Sequence, residues 1–297
     1  MIYTPADLSS SDFTDCNVAR FAVFGKPIAH SLSPLMQNAA LKKIAETNAT
    51  YAKSQYNAFE VDSEILGEVL EDFYKKNFVG INLTIPHKEV VMPFLSEVDN
   101  SARLAKACNT LKKINNGWRG YNTDGFGLEM AIWHAFGRKL ENADVVILGA
   151  GGAARGASFH ILSKKCATLT IANRSQDRLE KLASDIRAEG FDCNTLTLSS
   201  DIKIPENAIV VNSTSIGLKD TDSPVLDFSK FPRSAVFFDM PYRKGSETTS
   251  VATARKFGIK AQSGLPMLAW QGAKSMSIWT NADCNELGTI MLKELGL

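Results

Sequence analysis

The chain of 297 residues has few of the residues that build metal sites and disulfide frameworks. Its five cysteines are scattered without a CxxC pair, and its four histidines form no HExxH motif. Because zinc sites need clustered Cys, His or acidic ligands, we expect no metal ion. The odd number of cysteines also argues against a disulfide framework, so we expect free thiols in a reducing compartment.

Long apolar runs and an excess of charge of one sign are also missing. No stretch reaches the roughly 18 apolar residues of a membrane-spanning helix, and the first residues lack the basic and apolar regions of a signal peptide. Lys and Arg number 33 against 32 Asp and Glu, and a formal net charge of +1 attracts neither nucleic acid nor an acidic membrane. We therefore expect a cytoplasmic protein without nucleic-acid or membrane partners.

The residues that are present match an ordinary globular protein, with 44% apolar and 22% charged residues. At roughly 100 to 200 residues per domain, the length allows two domains. Continuous apolar runs alternate with helical patterns in the second half, which is typical of parallel strands covered on both faces, so we predict an α/β fold. The first 18 residues carry no pattern that predicts an element. The predicted strands lie at 21–24, 79–83, 110–114, 118–121, 144–148, 168–172, 195–198, 209–211 and 236–238, residues 51–61 are extended, and the predicted helices include 65–74, 176–188, 267–280 and 284–295.

A glycine-rich turn follows the predicted strand 144–148 and opens the next predicted helix. Glycine at its first position permits a tight turn, and the absence of a side chain at its third position lets the backbone approach a pyrophosphate at the helix N-terminus. We favour such a dinucleotide site over the alternative, a glycine-rich turn selected for packing. The candidate cofactor residues here are Gly149, Ala150, Gly151, Gly152 and Ala153.

The end of the next predicted strand indicates which dinucleotide binds. An NAD site normally has an acidic residue roughly 20 residues after the glycines, where it accepts hydrogen bonds from ribose hydroxyls. This chain has Asn173, Arg174 and Ser175 instead, with Arg178 one helical turn later. Guanidinium groups suit a 2′-phosphate that a carboxylate would repel, so we predict NADP(H). Solvated charges at a helix start are the alternative, which the opposing helix dipole disfavours.

Polar residues also cluster at the ends of predicted elements in the first part of the chain. The clusters span residues 30–34, 82–88, 108–110 and 121–125. Each cluster has a structural alternative: Ser33, Asn122 and Asp124 suit helix caps, and Lys88 suits a surface charge. Taken together with the dinucleotide fingerprint, the clusters form an ordered series of motifs.

This series resembles the shikimate dehydrogenase family over residues 20–295. The Asn-Arg-Ser segment and the glycine-rich loop of that family are both present. The family's Ser-x-Ser-Pro, Asn-x-Thr-x-Pro-x-Lys and Asn-Thr-Asp-Gly motifs match Ser31 to Pro34, Asn82 to Lys88 and Asn122 to Gly125, and later motifs match Asn212 to Gly217, Asp239 to Tyr242 and Gly264 to Gln271.

The resemblance implies a fold of two α/β domains with the active site in the cleft between them. Residues 1–123 plus 264–297 would form the substrate domain, which the C-terminal helices complete, and residues 124–263 a Rossmann-type, doubly wound NADP-binding domain. The implied reaction is the reversible NADPH-dependent reduction of 3-dehydroshikimate to shikimate, in the biosynthesis of chorismate and aromatic amino acids. A monomer and a homodimer are both left open.

By the same resemblance, Lys88 and Asp124 form the catalytic pair. Hydride transfer to a ketone leaves negative charge on oxygen, and Lys88 can supply both a positive charge and a proton. Neither a metal ion nor the neighbouring His87 is needed, and we predict a structural role for His87. The residues implied to bind substrate are Ser31, Ser33, Thr84, Asn109, Asp124, Tyr242 and Gln271, and Met240 and Gly264 are implied to lie near the nicotinamide.

Two other functions are open at this point. A quinate-oxidising member of the family that uses NAD would often have Thr in place of Ser33 and an acidic residue near Asn173. A nucleotide-sensing relative without catalysis would not need Lys88 and Asp124. The residues present fit both alternatives less well than they fit an NADP-dependent enzyme acting on shikimate.

Overall fold

The computed structural model describes residues 1–198, 202–219, 221–243 and 245–297. The α/β chain divides into two compact units, Met1–Thr123 with Ala269–Leu297 and Asp124–Leu268. The expected boundary between residues 263 and 264 differs from the second structural boundary, which lies inside the helix Leu265–Thr280. The physical reason is that this helix is continuous, and its first turn groups with the second unit.

The first unit is built on a seven-stranded mixed sheet. Its strands are β1 Ile2–Tyr3, β2 Arg20–Gly25, β3 Tyr56–Glu60, β4 Phe78–Leu83, β5 Glu97–Val98, β6 Thr110–Ile114 and β7 Gly117–Tyr121. They lie in the order β1-β3-β2-β4-β6-β7-β5, with β6 antiparallel to both β4 and β7. The helices of this unit are α1 Ser33–Ala45, α2 Leu66–Lys75, α3 His87–Val90, α4 Asn100–Ala105, most of α9 Leu265–Thr280, and α10 Cys284–Glu294.

The N-terminal segment, for which the sequence predicted no element, belongs to this sheet and to its core. β1 pairs with β3 in parallel at the edge of the sheet. Short 3-10 turns at Pro5–Ser9 and Ser11–Phe13 follow. Phe13, at 1% exposure, packs in a cluster of buried aromatic rings.

The second unit contains a six-stranded parallel sheet. The elements are α5 Asp124–Phe136, β8 Asp144–Leu148, α6 Gly152–Ser163, β9 Thr168–Asn173, α7 Gln176–Ala188, β10 Asn194–Thr197, β11 Ile209–Asn212, β12 Val236–Asp239, α8 Thr249–Lys256 and β13 Lys260–Ser263. The strand order β10-β9-β8-β11-β12-β13 is the 3-2-1-4-5-6 order of the doubly wound Rossmann fold. The predicted Rossmann-type fold is thereby confirmed.

Local sequence patterns predicted one of the short elements correctly and another incorrectly. The hairpin of β6 and β7 is confirmed, and its Gly117 has a φ of +133°, which glycine adopts without strain. The expectation of an extended segment over 51–61 is wrong at its start, because Ala49–Tyr51 forms a 3-10 turn. Asn48 Oδ1 accepts the Thr50 backbone N–H at 3.1 Å, which favours a turn.

Among the described residues, no helix has both the length and the apolar character needed to cross a membrane.

Candidate active site

The two serines of the 31–34 motif lie at the start of α1. Ser33 is the first helical residue, and its backbone N–H lies 3.3 Å from Ser31 Oγ, which accepts it. Leu32 occupies the N-cap position, so the interpretation of Ser33 as the cap is wrong. The Ser33 side chain instead lies close enough to the hydroxyl of buried Tyr56 to affect its pKa. Burial raises the pKa of Tyr56 well above its usual value, against the opposing effect of Ser33, so the hydroxyl stays protonated.

A buried hydrogen-bond network continues from Tyr56 through the first unit. The Tyr56 hydroxyl donates to Asn82 Oδ1 over 2.8 Å. Asn82 Nδ2 in turn donates to the Asn109 carbonyl and to Ser275 Oγ, both over 3.0 Å. Ser275 Oγ donates to the Gln271 carbonyl over 2.9 Å. These bonds fix β3, β4 and α9 to the segment that carries Asn109.

Asn109 and Gln271, which are 162 positions apart in the chain, contact each other beside this network. Asn109 Nδ2 donates to Gln271 Oε1 over 3.3 Å and to Thr123 Oγ1 over 3.0 Å. Asn109 Oδ1 accepts the Thr123 backbone N–H over 2.9 Å. Asn109 and Thr123 are each only 2% exposed. The amide groups of Asn109 and Gln271 are therefore held in a defined orientation.

Thr84 and Lys88 lie on either side of the turn that follows β4. The Thr84 carbonyl accepts the His87 backbone N–H over 2.8 Å. Lys88 lies in the short helix α3, and its carbonyl accepts the Cys108 N–H over 2.7 Å. Cys108 directly precedes Asn109 in the chain. Lys88 is half-buried, unlike a solvated surface charge.

His87 is fully buried. Its Nδ1 lies 3.5 Å from Ser63 Oγ. Burial lowers the pKa of His87, against opposing effects of a hydrogen bond with the Val61 backbone and of the Asp62 charge. The ring is consequently neutral near pH 7, which supports a structural role for His87.

In the second unit, the glycine-rich turn connects β8 to α6. Gly149 has a φ of +111°, and a Cβ there would lie 2.7 Å from Ser213 Oγ, so only glycine fits. A Cβ at Gly151, directly before α6, would meet no described atom within 4 Å. The space at the helix N-terminus is therefore open to the backbone approach of a pyrophosphate.

The end of β9 and the start of α7 carry the residues predicted to recognise the 2′-phosphate. Asn173 Nδ2 donates to the Ser175 carbonyl over 2.9 Å, and Ser175 is the N-cap of α7 without a side-chain capping bond. Arg174 and Arg178 are exposed, and neither has a hydrogen-bond or ion-pair partner among the residues that the structure describes. Two unpaired cations at a helix N-terminus are unfavourable beside the positive end of the helix dipole, and the negative charge of a bound phosphate would offset the charge of both arginines.

Met240, Tyr242 and Gly264 come together where β12 and β13 end. A Cβ at Gly264 would collide with the Met240 carbonyl oxygen, so glycine permits the close approach of these segments. The Gly264 N–H donates to the Pro241 carbonyl over 3.2 Å. Burial raises the pKa of Tyr242, which keeps its hydroxyl protonated.

Comparison with protein-family models gives two matches. The model described as "Shikimate dehydrogenase substrate binding domain" matches residues 23–111, and the model described as "Shikimate / quinate 5-dehydrogenase" matches residues 132–233. Together the matches cover more than half of the chain. The chain belongs to the shikimate dehydrogenase family.

Individual family members are similar over almost the whole length. "Shikimate dehydrogenase (NADP(+))" from Staphylococcus haemolyticus is 35% identical over 271 residues, covering 90% of this chain and 95% of that protein. The protein of the same name from Methanothrix thermoacetophila is 37% identical over 263 residues, covering 89% and 92%. The crystal structure of shikimate 5-dehydrogenase from Thermus thermophilus, in complex with NADP(H) and shikimate, is 32% identical and covers 93% of this chain and 99% of that one, with a TM-score of 0.77.

The structure divides the predicted site residues of this family member between its two units. Asp124 is the first residue of α5 and belongs to the second unit, as do Tyr242 and all the predicted cofactor residues. The first unit holds Ser31, Ser33, Thr84, Lys88, Asn109 and Gln271. Within it the structure brings the two serines together and joins Asn109 to Gln271.

Asp239 is a residue of the Asp239 to Tyr242 motif that the sequence analysis did not single out. Its fully buried carboxylate accepts hydrogen bonds from Asn212 Nδ2, over 2.6 Å, and from the Thr248 hydroxyl. Burial raises its pKa from 3.8 to about 6, against the opposing effect of these two bonds. Asp239 thus fastens the end of β12, which leads into Met240, to the end of β11 and the start of α8. An acidic residue that ends an otherwise apolar strand was the available signal.

Thr123 and Ser275 were also missed as parts of the substrate-side network. Thr123 lies inside the Asn122 to Gly125 motif. Ser275 follows Gln271 by four positions in α9, and side chains at that spacing lie on the same face of a helix. Helical spacing from Gln271 was therefore sufficient to find Ser275.

Proposed function

We propose that this chain is an NADP-dependent shikimate dehydrogenase. It reduces the ketone of 3-dehydroshikimate with NADPH and a proton to shikimate and NADP⁺, reversibly, in chorismate and aromatic amino-acid biosynthesis. The names of the Staphylococcus and Methanothrix relatives and the ligands of the Thermus structure support this activity. The observation that carries the proposal is the buried network ending at Asn109 and Gln271, because it fixes the orientation of two amide groups that the resemblance assigns to the ring hydroxyls of the substrate.

The polar groups of the first unit suit the functional groups of this substrate. Ser31 and Ser33 hydroxyls donate to the ring carboxylate, and each such charge-assisted bond is worth roughly 1.5 to 3 kcal/mol. The side chains of Thr84, Asn109 and Gln271 both donate and accept, as hydroxyl groups require. No arginine is assigned to the carboxylate, so substrate binding depends on several moderate contacts.

Lys88 is the proposed general acid. When bound, NADPH supplies the hydride that reaches the carbonyl carbon. The Lys88 ammonium stabilises the negative charge that develops on the oxygen and donates a proton to it, and in the reverse direction it accepts that proton. Asp124 is the second proposed catalytic residue, and its carboxylate accepts a hydrogen bond from a substrate hydroxyl. Tyr242, with its protonated hydroxyl, is proposed as a further substrate contact.

The cofactor residues fit a phosphorylated dinucleotide. The loop formed by Gly149, Ala150, Gly151, Gly152 and Ala153 would hold the pyrophosphate against the N-terminus of α6. Arg174, Arg178 and the Ser175 hydroxyl would hold the 2′-phosphate, with Asn173 shaping the turn. Met240 and Gly264 would border the nicotinamide. The free cysteines and the net charge of +1 support a cytoplasmic enzyme without nucleic-acid or membrane partners. We infer that it is a monomer or a homodimer.

The testing experiment follows the absorbance of reduced nicotinamide with shikimate or quinate and with NADP⁺ or NAD⁺. We expect shikimate with NADP⁺ to be preferred, and kcat/KM for NADP⁺ to exceed that for NAD⁺ at least about a hundredfold, because two charge-assisted phosphate contacts supply that much. The double substitution Arg174→Ala with Arg178→Ala should remove most of this preference and change NAD⁺ activity little.

Arg187→Ala provides the matched control, since Arg187 is an exposed arginine at the opposite end of α7. It should leave the cofactor preference unchanged. Equal efficiency of the unsubstituted enzyme with NADP⁺ and NAD⁺ would contradict the cofactor assignment. A preference for quinate with NAD⁺ would replace the proposed function by that of a quinate dehydrogenase.

A further inference from the structure

A cavity of about 510 Å³ lies in the second unit, and none of the residues that line it belongs to the proposed catalytic, substrate or cofactor sites. It is formed by the end of α5, the connection from α5 to β8, and the end of α6. We name it the α5–α6 cavity. Small-molecule sites typically measure roughly 300 to 1,000 Å³, so its size suits a small ligand.

The lining of the α5–α6 cavity includes apolar side chains, namely Met130, Trp133 and Leu140. Leu140 is 1% exposed, whereas Trp133 is 46% exposed. The other three tryptophans of the chain are at most 6% exposed, so Trp133 is the one indole available to a ligand. A large aromatic surface of this kind favours a planar ring that can pack against it.

Positive charge surrounds this apolar surface. Four cationic side chains, Arg138, Lys139, Lys164 and Lys165, line the cavity together with two carboxylates, Glu129 and Glu141. The C-termini of α5 and α6 add roughly half a negative charge each. The side chains carry a net charge of two positive, and the two helix C-termini reduce this to about one positive charge.

Only part of this positive charge is used within the protein. Lys164 forms an ion pair with Glu129 over 2.9 Å, and His160 Nε2 lies 2.8 Å from the same carboxylate. Burial raises the pKa of Glu129, but the hydrogen bonds from His160 and Lys164 outweigh burial and lower it overall. The Glu129 carboxylate is therefore ionised, and its charge is already compensated within the protein.

The remaining cations have no such partner. The Arg138 guanidinium donates to the Ser234 carbonyl over 3.1 Å, and the Lys139 ammonium lies 5.9 Å from the centre of the Trp133 ring. In the part of the chain that the structure describes, no carboxylate forms an ion pair with Arg138, Lys139 or Lys165. Their remaining N–H groups are available to an anion in the cavity that Trp133 also lines.

We propose that the α5–α6 cavity binds a planar aromatic monocarboxylate. Its ring packs on Trp133, and its carboxylate accepts hydrogen bonds from the ammonium and guanidinium groups of Lys139, Lys165 and Arg138. The single negative charge of such a ligand matches the positive charge that the cavity leaves uncompensated. A neutral ring would lack this match, and a small carboxylate without a ring would not use the apolar surface.

The probe for this site is benzoate, followed by the ¹⁵N-resolved indole N–H resonances of the four tryptophans. The Trp133 resonance is assigned by its loss in Trp133→Phe. With saturating shikimate and NADP⁺ present, we expect benzoate to shift the Trp133 resonance saturably and to leave the three buried indoles unchanged. Benzamide, which has the ring without the charge, and acetate, which has the charge without the ring, should each bind at least about tenfold more weakly.

The combined substitution Lys139→Ala and Lys165→Ala should weaken benzoate binding at least about tenfold, because one lost charge-assisted contact is enough for that change. Lys53→Ala, a substitution of an exposed lysine in the first unit, is the matched control and should have no effect. No saturable shift with benzoate, or equal binding of benzoate and benzamide, would overturn the proposal. A shift that appears only without shikimate would overturn it as well, because benzoate would then occupy the substrate site.

Discussion

Lys88 is positioned by backbone contacts of the residues around it. Its helix α3 has only one turn, and its carbonyl accepts the Cys108 N–H over 2.7 Å. Buried His87, the preceding residue, contacts Ser63. The backbone of the proposed acid is thus anchored at its own carbonyl and at the preceding residue, which limits its conformational freedom.

We predict that Lys88→Ala lowers kcat by more than about a hundredfold and leaves NADPH affinity nearly unchanged. General acid catalysis typically contributes 10² to 10⁴, and the surrounding motif supplies no other acid. Steady-state assays with shikimate measure kcat, and a direct fluorescence titration measures NADPH binding. Lys42→Ala, a substitution of an exposed lysine of α1, should behave like the unsubstituted protein. Retention of about a tenth of kcat in Lys88→Ala would contradict the assignment.

Residue motifs in the sequence located the polar groups of the candidate site but not all of the residues that hold them. Ser33 and Asn109 lie in recognisable motifs, whereas Tyr56 lies in none. Tyr56 contacts Ser33 and Asn82 because β3 pairs with β2 and β2 with β4. Strand register is a long-range property, and local sequence patterns do not determine it.

At the scale of elements, the N-terminal segment is one part of the fold that the sequence did not predict, as are the strands β5 and β13. β1 has only two residues, too few for a periodic pattern. Phe13 becomes a core residue because rings elsewhere in the chain pack against it, and its ring centroid lies 5.6 Å from that of Phe59 and 6.0 Å from that of Phe78. Within the segment, the ring centroid of Tyr3 lies 5.2 Å away. Buried Arg20 strengthens this attachment, since its guanidinium donates to main-chain carbonyls of the segment.

We predict that Phe13→Ala lowers the free energy of unfolding by about 3 to 5 kcal/mol, the usual cost of removing a fully buried phenylalanine ring. Urea unfolding followed by the fluorescence of the buried tryptophans of the first unit measures the loss. Phe94→Ala provides the comparison, because Phe94 is in the same unit and is 46% exposed. Equal losses in the two variants would show that the N-terminal segment does not contribute to the core as described.

At the scale of the whole molecule, the topology of the second unit explains where its candidate residues lie. The strand order reverses between β8 and β11, and ligands of such sheets bind beyond the carboxyl ends of the strands at that point. Gly149 follows β8 directly, and Ser213 follows β11 and donates to the Leu148 carbonyl over 2.7 Å. Continuous apolar strands and the glycine-rich turn made this arrangement predictable, because both are local features of a parallel sheet.

Asp239, at the end of β12, makes the stability of the protein depend on pH because its pKa is raised in the folded state. A carboxyl group with a folded pKa of about 6 and an ordinary value of 3.8 retains its proton in the folded state at pH values where the unfolded chain has lost it. Its stabilising contribution is therefore full below about pH 4 and is lost as the pH rises through about 6. The contribution of Asp239 to the free energy of unfolding changes by roughly 3 kcal/mol in all, of which roughly 1 kcal/mol falls between about pH 5 and pH 7.

We predict that the stability of the unsubstituted protein relative to Asp239→Asn decreases by about 1 kcal/mol from pH 5 to pH 7, because the amide does not titrate. Urea unfolding of both proteins at several pH values measures this difference. Asp222→Asn supplies a comparison of opposite sign, since backbone hydrogen bonds from Lys219 and Gly217 lower the pKa of the Asp222 carboxyl. Relative to that variant, the unsubstituted protein should lose stability as the pH falls. A difference between the unsubstituted protein and Asp239→Asn that does not vary with pH would contradict the raised pKa of Asp239 and leave its two hydrogen bonds as its whole contribution.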